Sequence, residues 1–180
     1  GKNCFDFFNN RQDLCKICFD SRTAVDERTL KAVLEGISFA ENITGYTASF
    51  FISYDLHTNL VSGGSSGSAI SLAAIALLSN KTLNRNATIT GEIDKEGNML
   101  TVGSVPLKSI AAAKSGYSTT IIPKNSSTIL VYEKHTADSF SQHEYYIAKS
   151  INLTEYVKET YGMQLIEAGN LKEVINIMLK

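Results

Sequence analysis

The 180-residue chain contains no tryptophan, only two prolines and only three cysteines, and neither sign of charge dominates. Its formal net charge is −1, which does not favour nucleic acid or an anionic membrane as the main partner. The longest apolar run, at residues 70–78, is much shorter than the roughly 20 residues of a membrane-spanning helix. With 43% hydrophobic residues, the chain is long and apolar enough for one domain with a core.

The chain also lacks a recognisable signal peptide and begins at Gly1 without a methionine. We therefore expect a piece excised from a longer protein, whose anchor or upstream domain would leave no trace here. No Walker A sequence is present, so ATP would take part only through an ATPase domain outside the chain. Contact with a membrane would likewise need a segment that the chain does not contain.

The three cysteines give little support for metal or redox chemistry. Cys15 and Cys18 have the C-x-x-C spacing of redox motifs and of half a zinc site, but no second pair exists. The three histidines are not spaced as a ligand cluster. We expect no metal site, and the sequence leaves open either a disulfide between two of the cysteines, Cys4 included, or free thiols.

Five N-x-S/T triplets bear on the location of the protein. They begin at Asn42, Asn80, Asn86, Asn125 and Asn152. A chain rich in Ser, Thr and Asn contains some of these by chance, but the excess favours a membrane-anchored or extracytoplasmic protein. A cytoplasmic location remains the alternative, and the sequence does not decide whether the triplets are glycosylated.

Hydrophobic periodicity predicts alternating helices and strands after residue 22. The predicted helices cover residues 25–44, 66–80, 105–115, 154–161 and 171–179. The predicted strands cover residues 46–56, 87–93, 99–102 and 118–122. Residues 1–22 are predicted as a strand pair or a linker remnant, so the expected units are 1–22 and 23–180. The alternation predicts an α/β, or layered α+β, domain with small mixed sheets and packed helices.

Residues 62–69, Ser-Gly-Gly-Ser-Ser-Gly-Ser-Ala, lead directly into an apolar helix. A glycine turn at a helix N-terminus exposes a serine hydroxyl and directs backbone N–H groups outward, which suits a nucleophile beside an oxyanion site. Because a serine hydroxyl is a poor nucleophile at neutral pH, it needs a base. Lys108 is the best candidate, since its apolar neighbours would lower the pKa of its amine. The alternative is an ordinary solvated helix lysine.

From about residue 63 to 123 the chain resembles the proteolytic domain of Lon proteases. The matching segments, in register without a gap, are 63–68 (Gly-Pro-Ser-Ala-Gly in the family), 90–92 (Thr-Gly-Glu), 97–103 (Gly-x-Val-Leu-Pro-Val-Gly), 108–116 (Lys-x-x-Ala-Ala-x-x-x-Gly) and 119–125 (Val-x-Ile-Pro-x-x-Asn). The separation of Ser65 and Lys108 is also the one that the family shows. Five segments in order at the right spacing form a specific signal.

This resemblance implies that Ser65 is the nucleophile and Lys108 its general base. It also implies that the backbone N–H of Ser65, with neighbours in the turn formed by Gly64, Ser66 and Gly67, holds the oxyanion. The activity implied is that of a serine endopeptidase that cleaves unfolded or damaged proteins through an acyl-enzyme, without a metal or an organic cofactor. A homo-oligomeric ring, usually a hexamer, is implied as well.

Two further residues take supporting roles by the same resemblance. Thr90 would hydrogen-bond the lysine amine and orient it, whereas an ordinary strand threonine is the alternative. Glu92 matches the glutamate of the family and would be a structural hydrogen-bond acceptor or a contact between subunits.

The chain departs from the family pattern at four places. Ser62 stands where many members have an acidic residue, and Gly64 stands in place of the proline before the nucleophile. Ser104 replaces the second glycine before the lysine helix, and Pro106 occupies a position that is often basic or polar. The motif region resembles archaeal and membrane-tethered Lon-like forms at least as much as bacterial ones.

Two other functions fit parts of the sequence. Residues 63–67 also satisfy the G-x-S-x-G motif of α/β-hydrolases, and an esterase of that kind would use Asp138 and His143 as the other members of its triad. Alternatively, the glycine loop is an anion-binding nest in a regulatory or assembly module, or the chain is a catalytically inactive Lon-like domain.

Overall fold

The computed structural model describes residues 2–8, 14–20, 24–54, 60–136 and 144–180. In these ranges the helices are α1 (Glu27–Thr44), α2 (Gly67–Leu78), α3 (Val105–Lys114), α4 (Leu153–Tyr161) and α5 (Ile175–Met178). The strands are β1 (Lys2–Phe8), β2 (Leu14–Asp20), β3 (Ala24–Val25), β4 (Phe50–Ile52), β5 (Leu60–Val61), β6 (Ala87–Ile89), β7 (Glu92–Ile93), β8 (Met99–Leu100), β9 (Thr119–Pro123), β10 (Thr128–Thr136), β11 (Glu144–Asn152) and β12 (Gln164–Ala168). Small sheets and packed helices confirm the predicted α/β class.

Helix α1 has both of its ends defined by local chemistry. The carboxylate of Asp26 accepts a hydrogen bond from the Thr29 N–H at 2.7 Å and so caps the N-terminus. Gly45, at φ 77°, ends the helix in the left-handed conformation that glycine adopts without strain, as the sequence predicts. The inward face buries Ala32, Val33, Ile37 and Ala40.

Helix α2 packs closely on α1 because small residues lie at the contact. A Cβ on Gly36 would come within 2.9 Å of the Gly67 carbonyl oxygen, so any larger residue would separate the helices. Helix α2 is apolar around most of its circumference, and it buries Leu72, Ala74 and Ile75. This contact fixes the N-terminus of α2 against the first half of α1.

The central sheet has the order β12-β9-β6, and both of its pairings are parallel. Its middle strand, β9, divides the core into two clusters. Ile121 faces the larger cluster with α1 and α2. Ile122 faces a smaller one that contains Val105 of α3 and Val157 of α4. Packing in the smaller cluster fixes the start of α3. It therefore also fixes the position of the α3 residues that lie beside the buried ones.

The N-terminal segment forms an antiparallel strand pair, of which β2 also pairs in parallel with β4. Ile17 and Phe19 are buried in the main core. A disulfide joins Cys4 to Cys18, which lie directly opposite each other on the two strands. The side chain of Cys15 lies outside the described part of the chain. The sequence had left open a disulfide between two of the three cysteines, and the structure pairs Cys4 with Cys18.

Several predicted elements differ in extent from the observed ones. The strand predicted at 87–93 is split into β6 and β7 at Thr90 and Gly91, because these residues bond to other segments. The helix predicted at 171–179 is a 3₁₀ turn (Leu171–Glu173) followed by the short α5. The predicted strand at 46–56 is represented by β4, and residues 55–59 lie outside the described ranges. Strands β10, β11 and β12 were not predicted.

No described helix is both long enough and apolar enough to cross a bilayer. The described ranges likewise contain no cluster of His, Cys, Asp and Glu that could hold a metal ion. All five asparagines of the N-x-S/T triplets are exposed.

Candidate active site

Residues 62–67, here called the serine turn, connect β5 to α2. Gly63 has φ 102° and ψ 149°, a conformation that is nearly restricted to glycine. A 3₁₀ turn at Gly64–Ser66 follows, and α2 begins at Gly67. Ser65 is half-buried, whereas the hydroxyl oxygen of Ser66 is fully buried. Of these two serines, Ser65 therefore has the accessible hydroxyl.

The segment 90–92 runs along the serine turn and is bonded to it at two points. The Gly91 N–H donates to the Ser65 carbonyl, and the Ser68 N–H donates to the Gly91 carbonyl, each at 3.1 Å. A Cβ on Gly91 would lie 3.0 Å from the Cε of Met99, so the close approach favours glycine. The Thr90 N–H donates to the Ile121 carbonyl at 3.0 Å, which joins the segment to β9.

Glu92 lies directly against the serine turn. A Cβ added to Gly64 would come within 2.6 Å of the Glu92 carboxyl group, so in this conformation that group fills the space a side chain at position 64 would need. Arg28 holds this carboxylate through two hydrogen bonds to Oε2, at 3.1 Å from Nε and 2.7 Å from Nη2. These bonds raise the pKa of Arg28 above its ordinary value, so the guanidinium stays charged. Glu92 thus accepts hydrogen bonds from Arg28 within the chain, and its role as a contact between subunits stays a prediction.

Ser65 and Lys108 line the same cavity, which has a volume of about 210 Å³. Arg28, residues 62–64 and residues 102–104 also line this cavity. Helix α3 begins after Ser104, and Pro106 lies in its first turn. Burial of Val105 in the smaller core cluster leaves Lys108 on the face toward the cavity. Desolvation lowers the pKa of the Lys108 amine.

Lys108 also lines a second cavity of about 350 Å³, which contains Thr90, Tyr117 and Thr120. The predicted residues Ser65, Thr90 and Lys108 are thus brought to one region from the serine turn, the 90–92 segment and α3. Among the described residues, no hydrogen bond joins Lys108 Nζ to Ser65 Oγ or to Thr90 Oγ1, so both contacts stay predictions. Catalytic hydrogen bonds are often long before substrate binds.

A larger cavity of about 450 Å³ lies elsewhere, between α2, β6 and α5. It is lined mainly by apolar and loop residues, among them Leu72, Leu83 and Met178, and includes none of the predicted site residues. Size alone therefore does not identify the site. The residues of the competing hydrolase hypothesis, Asp138 and His143, lie outside the described residues.

Two residues near the site were not predicted. Arg28 reaches the cavity from the first turn of α1, and Asp26 contacts the start of the serine turn. Asp26 had a usable signal, because an Asp before an amphipathic run is a typical helix cap. Arg28 had none, since its partner Glu92 is 64 positions away.

Comparison with known proteins gives matches across the site region. Residues 37–139 match the family model of the Lon protease (S16) C-terminal proteolytic domain. The chain is 30% identical over 105 residues to a Lon protease of Koribacter versatilis, a match that covers 55% of this chain and 13% of that protein. It is 38% identical over 82 residues to a Lon protease of Borrelia duttonii, covering 42% and 10% respectively. The chain thus spans only a small part of these relatives.

Proposed function

The chain belongs to the family of Lon protease C-terminal proteolytic domains, and from this premise we propose that it is a serine endopeptidase with a Ser65–Lys108 dyad. The observation that carries the proposal is the shared cavity of Ser65 and Lys108, with the pKa of the amine lowered by desolvation. An amine with a lowered pKa is neutral in a larger fraction of molecules, and only the neutral form accepts a proton.

In the proposed reaction, Ser65 Oγ attacks the carbonyl carbon of the scissile bond while its proton moves to Lys108 Nζ. The oxyanion that forms is stabilised by the backbone N–H of Ser65, which lies in the 3₁₀ turn just before α2. The tetrahedral intermediate collapses when the Lys108 ammonium protonates the leaving amine. An acyl ester on Ser65 remains. Lys108 then takes a proton from water, whose oxygen attacks the ester carbonyl. It returns this proton to Ser65 Oγ as the ester C–O bond breaks, which releases the second product as an acid and restores the free serine.

Thr90 and Glu92 take different parts in this proposal. Thr90 lines the second cavity with Lys108 and orients the amine once substrate is bound. Glu92 does not touch the substrate in this scheme, because Arg28 holds it against Gly64. The chemistry uses no metal ion and no organic cofactor.

We propose unfolded or damaged polypeptides as substrates and a homo-oligomeric ring as the working assembly. The support is the similarity to proteins named Lon protease in Koribacter versatilis and Borrelia duttonii. Any dependence on ATP would come from a domain outside these 180 residues.

The test compares Ser65→Ala and Lys108→Ala with the wild type in the hydrolysis of a casein substrate. Each substitution should lower kcat/KM by about 10²- to 10⁴-fold, because each removes one reacting group. Ser150→Ala and Lys114→Ala, at exposed positions away from the cavity, are matched controls that should keep full activity. Full activity in Lys108→Ala would refute the assignment of the base, and full activity in Ser65→Ala would refute the nucleophile.

A further inference from the structure

The first turn of α1 holds the beginning of the serine turn. The Ser62 hydroxyl donates to Asp26 Oδ2 at 2.6 Å, and the Gly63 N–H donates to Asp26 Oδ1 at 3.4 Å. The Asp26 N–H donates in turn to the Val61 carbonyl at 3.2 Å. Residues 62 and 63 are therefore bonded to a carboxylate that is 36 positions earlier in the chain than Ser62.

Thr29 adds a second bond from the same turn of α1. Its side chain is fully buried, and its hydroxyl lies 3.2 Å from the Gly63 carbonyl oxygen and 3.3 Å from that of Val61. Both the N–H and the carbonyl of Gly63 thus have partners on α1. The unusual backbone conformation of Gly63 changes the direction of the chain. The bonds that hold Gly63 therefore also fix the orientation of the chain that leads to Ser65.

Arg28, between these two residues, acts on the other side of the turn. It holds the Glu92 carboxylate against Gly64, as described above. Successive residues of one helical turn therefore contact the residues that precede Ser65. A helical turn is a rigid support, and small displacements of a reacting group lower rates strongly.

We propose that Asp26 is a positioning residue of the peptidase, which holds Ser62 and Gly63 so that the Ser65 hydroxyl and N–H face the cavity shared with Lys108. This inference rests on the proposed function, because the orientation of Ser65 matters only if Ser65 reacts. The Ser62 hydrogen bond is the main cause of the lowered pKa of Asp26, and those from Thr29 contribute. The carboxylate therefore stays ionised, and the contact stays closed, at every pH at which a lysine base would work.

The experiment separates positioning from helix capping by exchanging the two residues. Asp26→Ser keeps a residue that caps helices well but loses the carboxylate. We expect kcat for casein to fall about tenfold with KM nearly unchanged, in line with a misplaced reacting group. Ser62→Ala removes the hydroxyl–carboxylate bond but leaves the Gly63 N–H bond and the helix cap, so it should lower kcat in the same direction by a smaller factor. Combining Asp26→Ser with Ser62→Asp restores a carboxylate–hydroxyl pair and should recover most of the lost kcat.

Asn152→Ala is the matched control for loss of a cap. Asn152 accepts hydrogen bonds from the Thr154 and Glu155 N–H groups at the start of α4, away from the cavity. The Asn152→Ala substitution should lower the melting temperature and leave kcat unchanged. Rates are compared at a temperature at which circular dichroism shows every variant folded.

The rate at which a fluorophosphonate labels Ser65 provides a second readout and should follow kcat across the series. If the variants change the melting temperature but not kcat or labelling, or if the exchange fails to restore them, the positioning role is wrong. If the wild type neither cleaves casein nor shows labelling that Ser65→Ala abolishes, the proposed function fails, and the positioning role fails with it.

Discussion

The serine turn is stabilised by bonds from other parts of the chain, whereas the β10–β11 hairpin is stabilised mainly by contacts between its own two strands. The serine turn is bonded from α1 and from the 90–92 segment, and its glycines lie where larger residues would be strained or would clash. The hairpin is stabilised mainly by its own cross-strand pairs, in which Tyr132 lies opposite Ala148 and Lys149 is paired with Glu133 at 3.3 Å. Its side chains are largely exposed, and Leu130, Tyr132 and Tyr146 are each at least 62% exposed.

This difference indicates where substitutions should affect function. A bonded glycine turn requires particular residues, whereas a two-stranded ribbon requires only side chains that suit exposed strands. The comparison also bears on the base, because Lys108 lines the cavity with Ser65, whereas Asp138 and His143 lie outside the described residues. The following predictions test that distinction, and the largest expected effect comes first.

The pH dependence of hydrolysis should distinguish an amine base from an imidazole base. Desolvation lowers the pKa of Lys108 from its ordinary value of 10.5. Below that lowered pKa the neutral fraction rises about tenfold for each pH unit, so kcat/KM should climb with pH from 7 toward 9. A profile that rises to a plateau near pH 7 would point to a histidine with a pKa of about 6.5.

The contribution of Lys108 to the free energy of unfolding should also rise with pH. Its pKa is lower in the folded chain than in the unfolded chain, so between the two values the unfolded chain binds more protons. The contribution of Lys108 to the free energy of unfolding therefore increases as the pH rises through that interval. Denaturation of Lys108→Ala should lack this component, which a comparison of the two proteins at pH 7 and 9 would measure.

Gly63→Ala should destabilise the fold through the backbone alone. No atom lies within 4 Å of the added Cβ, so there is no clash, but φ 102° is unfavourable for alanine. We expect a loss of about 1–3 kcal/mol in the free energy of unfolding, measured by urea titration, and a lower kcat under folding conditions.

Gly116→Ala is the matched control for this substitution. Gly116 has φ 86°, has no atom within 4 Å of an added Cβ, and lies after α3 away from the serine turn. It should also lose stability but keep kcat. Equal losses of kcat in the two variants would contradict a special role for the geometry at Gly63.

His143→Ala should have the smallest effect. In a Ser/Lys enzyme this residue has no chemical role, so kcat/KM should change by less than about twofold, whereas removing the histidine of a Ser–His–Asp triad costs several orders of magnitude. Parallel hydrolysis assays of the variant and the wild type, on casein and on a simple ester, would measure this change in kcat/KM. A loss of more than about a hundredfold on either substrate would favour the hydrolase alternative.

The parts of the fold that were predictable follow from local rules. The C-terminal end of α1 was predictable because Gly45 stops a periodic apolar pattern. The C-terminal end of α3 was predictable because Gly116 stops the pattern in the same way. The splitting of the 87–93 strand was not predictable from its β-forming residues. It depends on Gly91 bonding to Ser65 and Ser68, which are distant in sequence. The exposed hairpin has strand-forming residues but no buried face, so it lacks the alternation that marks a strand.

By itself, the sequence determined the family, the pair Ser65 and Lys108 as candidates for the dyad, and the glycines that a sharp turn requires. These depend on residue types at fixed spacings, which a linear chain displays directly. Tertiary structure alone decided that Cys4 pairs with Cys18, that Asp26 bonds to Ser62 and that Arg28 reaches Glu92. Such pairs are separated by 14, 36 and 64 positions. Partners at these separations are brought together by strand pairing and helix packing, which the local preferences of the backbone do not specify.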